Sequence, residues 1–315
     1  DYIVRQTVGR QIEGKSPAQL AGKRGMGVSP MSTTGVSPVS GKATHGRDGP
    51  ATRGQDARAT KPLRVLDMAC GSGSFLLGAY RCLLEHCLKW YIDNGPESFP
   101  KAVYLARRSA AEPAALSDWR LTITEKKQIL LSHIFGVDID PQAVEVSKLS
   151  LLLKVLEGES AETIGDSMRL FHERALPNLS DNIKCGNSLI GPDYFTGRLI
   201  PDPKEFARVN AFDWNREFPN AMKAGSPRAQ SSGGFDCVIG NPPYVDIIGI
   251  PEEQRAYFAK HYATFSYRSD ILCVFFHHGI ELLREYGTLG FITSNVYFTS
   301  TSASLLRRRM VDLLS

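Results

Sequence analysis

Apolar and polar positions along this chain follow two different periods, and the switches between them outline a fold. Leu63-Arg64-Val65-Leu66-Asp67, Ile134-Phe135-Gly136-Val137-Asp138 and Phe235-Asp236-Cys237-Val238-Ile239-Gly240 are apolar runs too short for helices. Such runs form strands buried on both faces of a parallel sheet. Ile183-Lys184-Cys185-Gly186 is a weaker strand of the same kind, and Thr288 to Thr293 a fifth. Between them the apolar spacing lengthens to that of helices: from about Phe75, from Pro141 to about Glu157, from Asp270 to Glu285 and from Leu305 to Leu314. A long helical region with polar loops is expected over about 81–132. Strands alternating with helices predict an α/β fold built on a doubly wound, mostly parallel sheet.

The first sixty residues break this pattern. Tyr2, Ile3, Val4, Val8 and Ile12 recur at helical intervals, so residues 1–22 read as a helical arm. Residues 23–62 then contain almost no large apolar side chain, and Gly27-Val28-Ser29-Pro30 recurs as Gly35-Val36-Ser37-Pro38. A segment of that composition buries too little surface to offset its ordering entropy, and disorder is expected. The main folded domain is therefore assigned to 63–315.

Composition narrows the class. With 42% hydrophobic and 22% charged residues, the 315-residue chain has the balance of a globular protein, and no apolar stretch is long enough to span a bilayer. Neither a membrane nor a secretory signal is expected, and the location expected is cytoplasmic. The chain starts with Asp1 and not Met, so a fragment is expected. A net charge of +4 tolerates a polyanionic partner without arguing for one. Six cysteines without C-x-x-C spacing read as reduced thiols, and the adjacent His277-His278 pair as structural. No metal site is expected.

Three places carry candidate chemistry. Asn241-Pro242-Pro243-Tyr244 follows a buried strand, and two prolines hold an amide and a ring in an extended, rigid presentation. Acceptors beside a ring suit a flat heterocycle bearing an amine. Ala69-Cys70-Gly71-Ser72-Gly73-Ser74 is a Gly-rich turn between a strand and a helix, where backbone can approach a ligand closely. Asp67 and Asp138 end the first two strands, the second placed to accept hydrogen bonds from ribose hydroxyls. Taken singly, Gly71 and Gly73 are ordinary turn residues, and Asp138 serves a helix cap as well as a ribose. Asp140, before Pro141, reads as an N-cap, as does Asp270 for its own helix.

Together these motifs resemble the S-adenosylmethionine-dependent methyltransferases, which have a Rossmann-like fold. With Asn-Pro-Pro-Tyr at the fourth strand, the chain resembles the gamma-class DNA adenine-N6 methyltransferases of restriction–modification and phage-defence systems. Gly186-Asn187-Ser188-Leu189 and Gly233-Gly234-Phe235-Asp236 are most similar to the large chains that fuse methylase and nuclease. The resemblance implies that Asp67, Ala69, Gly71 and Gly73 line the methionine end of S-adenosylmethionine and Asp138 its ribose. Asn187 stands where the family usually has Asp, at the cofactor adenine; Met68 replaces a usual Pro. Asn241 and Pro242 would accept the N–H groups of the target amine, and Tyr244 would stack on an adenine flipped out of double-stranded DNA.

Other readings remain open at this point. Asn-Pro-Pro-Tyr is shared with methyltransferases of a protein glutamine or an RNA guanine amine, and a decayed, non-catalytic nucleic-acid-binding module keeps the same fold. A target-recognition domain is expected to be absent from these residues, and the sheet is expected to be truncated at its C-terminal end. An incomplete core that binds cofactor but methylates poorly follows, with recognition and nuclease regions outside these residues.

Overall fold

The computed structural model describes residues 2–23, 61–106, 118–159, 176–197, 202–223, 233–266, 270–295, 299 and 303–314. Most of the low-complexity stretch, 24–60, lies outside them, as does Tyr297. The strands are β1 (Val65–Asp67), β2 (Val103–Leu105), β3 (Trp119–Leu121), β4 (Ile134–Asp138), β5 (Ile183–Cys185), β6 (Phe235–Gly240) and β7 (Leu283–Phe291). Five of them make one sheet in the order β5-β4-β1-β6-β7. Every neighbouring pair in it is parallel. The longer helices are α1 (Ser74–Asp93), α2 (Ile123–His133), α3 (Pro141–Leu156), α4 (Glu252–His261), α5 (Leu272–Glu281) and α6 (Ser304–Leu314).

Period-two alternation sends the strand side chains into two separate cores. Val65, Ile134, Ile183, Cys237 and Ile239 join the cluster formed by the arm, α1, α2 and α3. Leu66, Val137, Phe235 and Val238 join Phe212, Trp214, Phe218 and residues of α4 and α5 on the other face. Both faces are thus covered, which is why the runs read as continuously apolar. Each fully buried large side chain stabilises the fold by about 1.5–3 kcal/mol relative to exposure.

The arm is helical from Tyr2 to Ile12, passing through a π-helical segment at Arg5–Gly9, and resumes at Pro17–Leu20. Ser16 starts that second piece with a capping box: its hydroxyl accepts from Gln19 N while the Gln19 side chain accepts from Ser16 N. Val4, Val8, Ile12 and Leu20 are buried against the sheet and α1.

Two stretches differ from the sequence expectation. Within 81–132, α1 and α2 flank an antiparallel pair, β2 with β3, where the sequence predicts only polar loops between helices. Each strand is three residues long and only one residue in each is buried, too short for an alternation to register. The fifth strand begins at Leu283, not Thr288, and α5 stops at Glu281. Two steps along β6 span five along β7 between Phe235↔Leu283 and Cys237↔Thr288. That bulge places Tyr286 at φ +63 and makes the start of the strand polar, which hides it from a pattern search.

Candidate active site

Successive strands run from β1 to β4 and β5 on one side, then to β6 and β7 on the other. The order therefore reverses between β1 and β6, and the crevice at their carboxyl ends is where open α/β sheets hold ligands. Asp67 closes β1 there, opposite Ile239. Gly240 follows, and a Cβ on it would lie 2.6 Å from Asp67 Oδ1, so the backbone of β6 can pass this carboxylate only as glycine. Asn241 is the next residue.

Asp67 is 1% exposed, and its Oδ1 accepts from Ala69 N at 3.1 Å. Burial pushes its pKa up to about 7; the Ala69 hydrogen bond opposes the rise, and the charge of Asp138 adds to it. Asp138 is itself bound into the turn: its Oδ2 accepts from Gly71 N at 2.7 Å and its Oδ1 from Asp140 N at 2.9 Å. Asp140 caps α3 by accepting from Gln142 N at 2.9 Å, as its place before Pro141 predicts. Asp270 likewise accepts from Leu272 N at 2.9 Å at the start of α5.

The Gly-rich turn is fixed from two sides. Cys70 N donates to Val137 O at 3.0 Å, and Ser147 Oγ of α3 donates to Gly71 O at 2.7 Å. Gly73, at φ +82, leads into α1, and a Cβ there would lie 2.9 Å from Ser147 Oγ. Both the left-handed backbone and the close approach of α3 require glycine. Cys70 and Cys237 are buried thiols whose pKa burial lifts to about 12, which leaves them protonated and inert. All six cysteines are free.

Asn187 lies beyond the end of β5, one strand further out than Asp138, which pairs with Cys185. Its Oδ1 accepts from Leu189 N at 3.1 Å, and its backbone N donates to Asn210 O at 2.6 Å. On the other side of the crevice, Asn241 and Tyr244 are exposed while Pro242 is buried. The Tyr244 hydroxyl stands 3.4 Å from Asn241 Oδ1 and 3.5 Å from Ile292 O, two long contacts competing for one proton.

The structure thus gathers Asp67, Ala69, Gly71, Gly73 and Asp138 at one turn, where Asp67 is bonded to Ala69 and Asp138 to Gly71, with Asn241, Pro242 and Tyr244 leaving from beside it. Asn187 borders the same edge of the sheet. Sequence reasoning missed Ser147, Gly240 and Ile139. Ser147 is fully buried on α3, and its only signal was a small polar residue on an apolar helix face. Ile139 is 51% exposed between two carboxylates, and an apolar residue at that place was the signal available. His277, read as structural, is buried with Nδ1 3.1 Å from Thr264 Oγ1 and Nε2 3.2 Å from Glu281 Oε1.

A parallel sheet with acid-ended strands, a glycine turn and an Asn-Pro-Pro-Tyr exit at its switch point defines a Rossmann-like methyltransferase domain. Residues 132–314 match the Eco57I restriction-modification methylase family, and the chain belongs to it. It is 29% identical over 246 residues to the type II restriction enzyme and methyltransferase RM.Eco57I of Escherichia coli, covering 77% of this chain and 21% of that protein. Over 245 residues it is 24% identical to the adenine-specific methyltransferase PglX of Streptomyces coelicolor, covering 75% and 17%. The chain therefore spans about a fifth of the length of these relatives. The solved DNA complex of the type IIL restriction–modification enzyme MmeI superposes with a TM-score of 0.43 at 16% identity, over 80% of this chain and 27% of that one. Among the described residues, no helix is long and apolar enough to cross a membrane.

Proposed function

We propose that this chain transfers a methyl group from S-adenosylmethionine to the N6 amine of an adenine flipped out of double-stranded DNA. One observation carries the reading: Asn241 leaves β6 beside the buried carboxyl of Asp67, across Gly240, at the switch point of the sheet. The donor set fits the cofactor. Two carboxylates at neighbouring strand ends, with a glycine turn between them, suit a ligand that bears an ammonium, a sulfonium and a ribose diol. Asp67, Ala69, Gly71 and Gly73 would hold its methionine end, Asp138 its ribose and Asn187 its adenine. When bound, S-adenosylmethionine supplies an electrophilic methyl group.

The residues of the chain position the acceptor. Adenine's amine is a weak nucleophile because its lone pair is delocalised into the ring. The Asn241 Oδ1 and the Pro242 carbonyl each accept one N–H, which favours a pyramidal nitrogen with a localised lone pair. Tyr244, 54% exposed, offers a ring face for the flipped base to stack on. Choice of a DNA sequence, and any nuclease activity, are assigned to other regions of a longer protein.

Calorimetric titration with S-adenosylmethionine and transfer of labelled methyl to an adenine-containing duplex test the proposal. Saturable binding and label recovered as N6-methyladenine, absent in Asn241→Ala, are expected. Label transferred to a glutamine peptide or to RNA guanine instead, or a folded protein that binds no cofactor, would overturn it.

A further inference from the structure

We infer that Tyr257 is a positioning residue that rivets the loop following Asn187 to helix α4. The segment leaving the Asn-Pro-Pro-Tyr turn then also sets the adenine side of the cofactor pocket, an inference that rests on the function proposed above. Gly191 N donates to the Tyr257 hydroxyl at 3.0 Å, and that hydroxyl donates its proton to Asp193 Oδ1 at 2.9 Å. One phenol therefore holds both ends of the short 191–193 turn. His261, one helical turn further along α4, places Nε2 2.8 Å from Asp193 Oδ2. Its ring stacks on Tyr257 with centroids 3.9 Å apart and planes inclined by 21°. Tyr262, just past the helix, donates to Leu189 O at 2.7 Å.

Three ring-bearing residues of one short segment thus fasten Leu189, Gly191 and Asp193. Asn187 is part of the same loop, because its side chain accepts from Leu189 N at 3.1 Å. A shift of Leu189 therefore shifts the amide assigned to the cofactor adenine. At its other end the segment starts at Tyr244, and Asp246 braces the first turn by accepting from Ile248 N at 3.1 Å. The Asp193 and His261 side chains are 52% and 30% exposed, and a polar contact so placed contributes little to global stability. What the network adds is a fixed spacing between two loops that come from different strands.

Tyr257→Phe tests this, because it keeps the ring stack and removes only the hydroxyl. The Kd and KM for S-adenosylmethionine should each rise about tenfold as the two hydrogen bonds of the phenol are lost, with kcat at saturating cofactor nearly unchanged. Amide exchange over 187–193 should quicken in the ligand-free protein while the thermal midpoint hardly moves. Asp193→Asn keeps an acceptor for the phenol and should bind cofactor like the wild type. A Tyr257→Phe protein with wild-type Kd overturns the inference. Should the wild-type protein bind no cofactor, the proposed function fails, and the exchange experiment decides the rivet alone: unaltered exchange over 187–193 overturns it.

Discussion

The two sides of the crevice are built to opposite specifications. On the β1–β4 side, Asp67, Gly71, Asp138 and Ser147 are joined by hydrogen bonds of 2.7 to 3.1 Å to backbone, and Asp67 is fully enclosed. On the β6 side, Asn241 and Tyr244 stand exposed, with contacts of 3.4 and 3.5 Å between them and Ile292. The first side is finished before any ligand arrives, and the second leaves its acceptor and its ring available. A small ligand that must be held in one pose needs the former. A base that must swing in from a duplex needs the latter, since groups already engaged would have to be released first.

The largest expected effect separates the two sides. Asn241→Ala removes the acceptor proposed for the target amine, so under the proposed function methyl transfer should fall at least 100-fold, about the loss of one transition-state hydrogen-bonding group. Cofactor Kd should stay within about twofold, because the β1–β4 side is untouched. Equal losses of binding and transfer, in titrations and single-turnover assays, would show that the two sides are not independent.

Asp67→Asn attacks the finished side and should weaken cofactor binding by about 10- to 100-fold, the worth of a hydrogen bond to a charged group. It should also change the response to pH. The carboxyl of Asp67 sits near 7 in the folded protein against an ordinary 3.8, so the folded state holds its proton more tightly than the unfolded chain. Its contribution to stability is therefore fully present below the unfolded value and is lost as pH rises toward 7. Urea unfolding should show the wild type losing stability over this window and Asp67→Asn losing less. Binding a cationic ligand favours the ionised carboxylate, so wild-type affinity should climb from pH 6 to 8 with proton release, measured as a buffer-dependent binding enthalpy.

How far this division could be read from residues differs between its halves. The apolar runs ending in Asp67 and Asp138 and the Gly-rich turn are local, and so were legible; so was Asp140, whose cap needs only the proline after it. Asn241 to Tyr244 was legible because two prolines dictate an extended exit. What joins them was not. The adjacency of β1 to β6 is a contact across about 170 residues, and no local periodicity encodes it. Ser147 does its work through the packing of α3 on Gly73, and the β2–β3 pair is too short to carry a pattern. Gly240 looked like the last residue of a strand, and only the neighbouring carboxylate explains it.

Packing of that kind predicts a third, smaller effect. Gly73→Ala must adopt φ +82 and place its Cβ 2.9 Å from Ser147 Oγ. A loss of about 1–3 kcal/mol in unfolding free energy is expected, the usual cost of a non-glycine residue forced into left-handed backbone. Ser147→Gly carries its own cost, because it removes the hydrogen bond to Gly71 O and puts glycine inside α3, but it clears the space, so the double variant should lose less than the sum of the two single losses. Denaturant midpoints of the single and double variants would measure the split, and strict additivity would mean that the two residues do not touch.

The smallest expected effect belongs to the open side. The Tyr244 hydroxyl divides one proton between two acceptors at 3.4 and 3.5 Å, distances at which little hydrogen-bond energy remains. Tyr244→Phe should therefore leave stability and cofactor Kd unchanged within error and alter transfer by less than about twofold. Tyr244→Ala removes the ring and should weaken productive binding of the target base by about 1–3 kcal/mol, the worth of one stacked base. A Phe variant as impaired as the Ala variant would mean that the hydroxyl holds Asn241 in place. The open side would then be as fixed in advance as the closed one, and the contrast between them would fail at the residue where it is most easily measured.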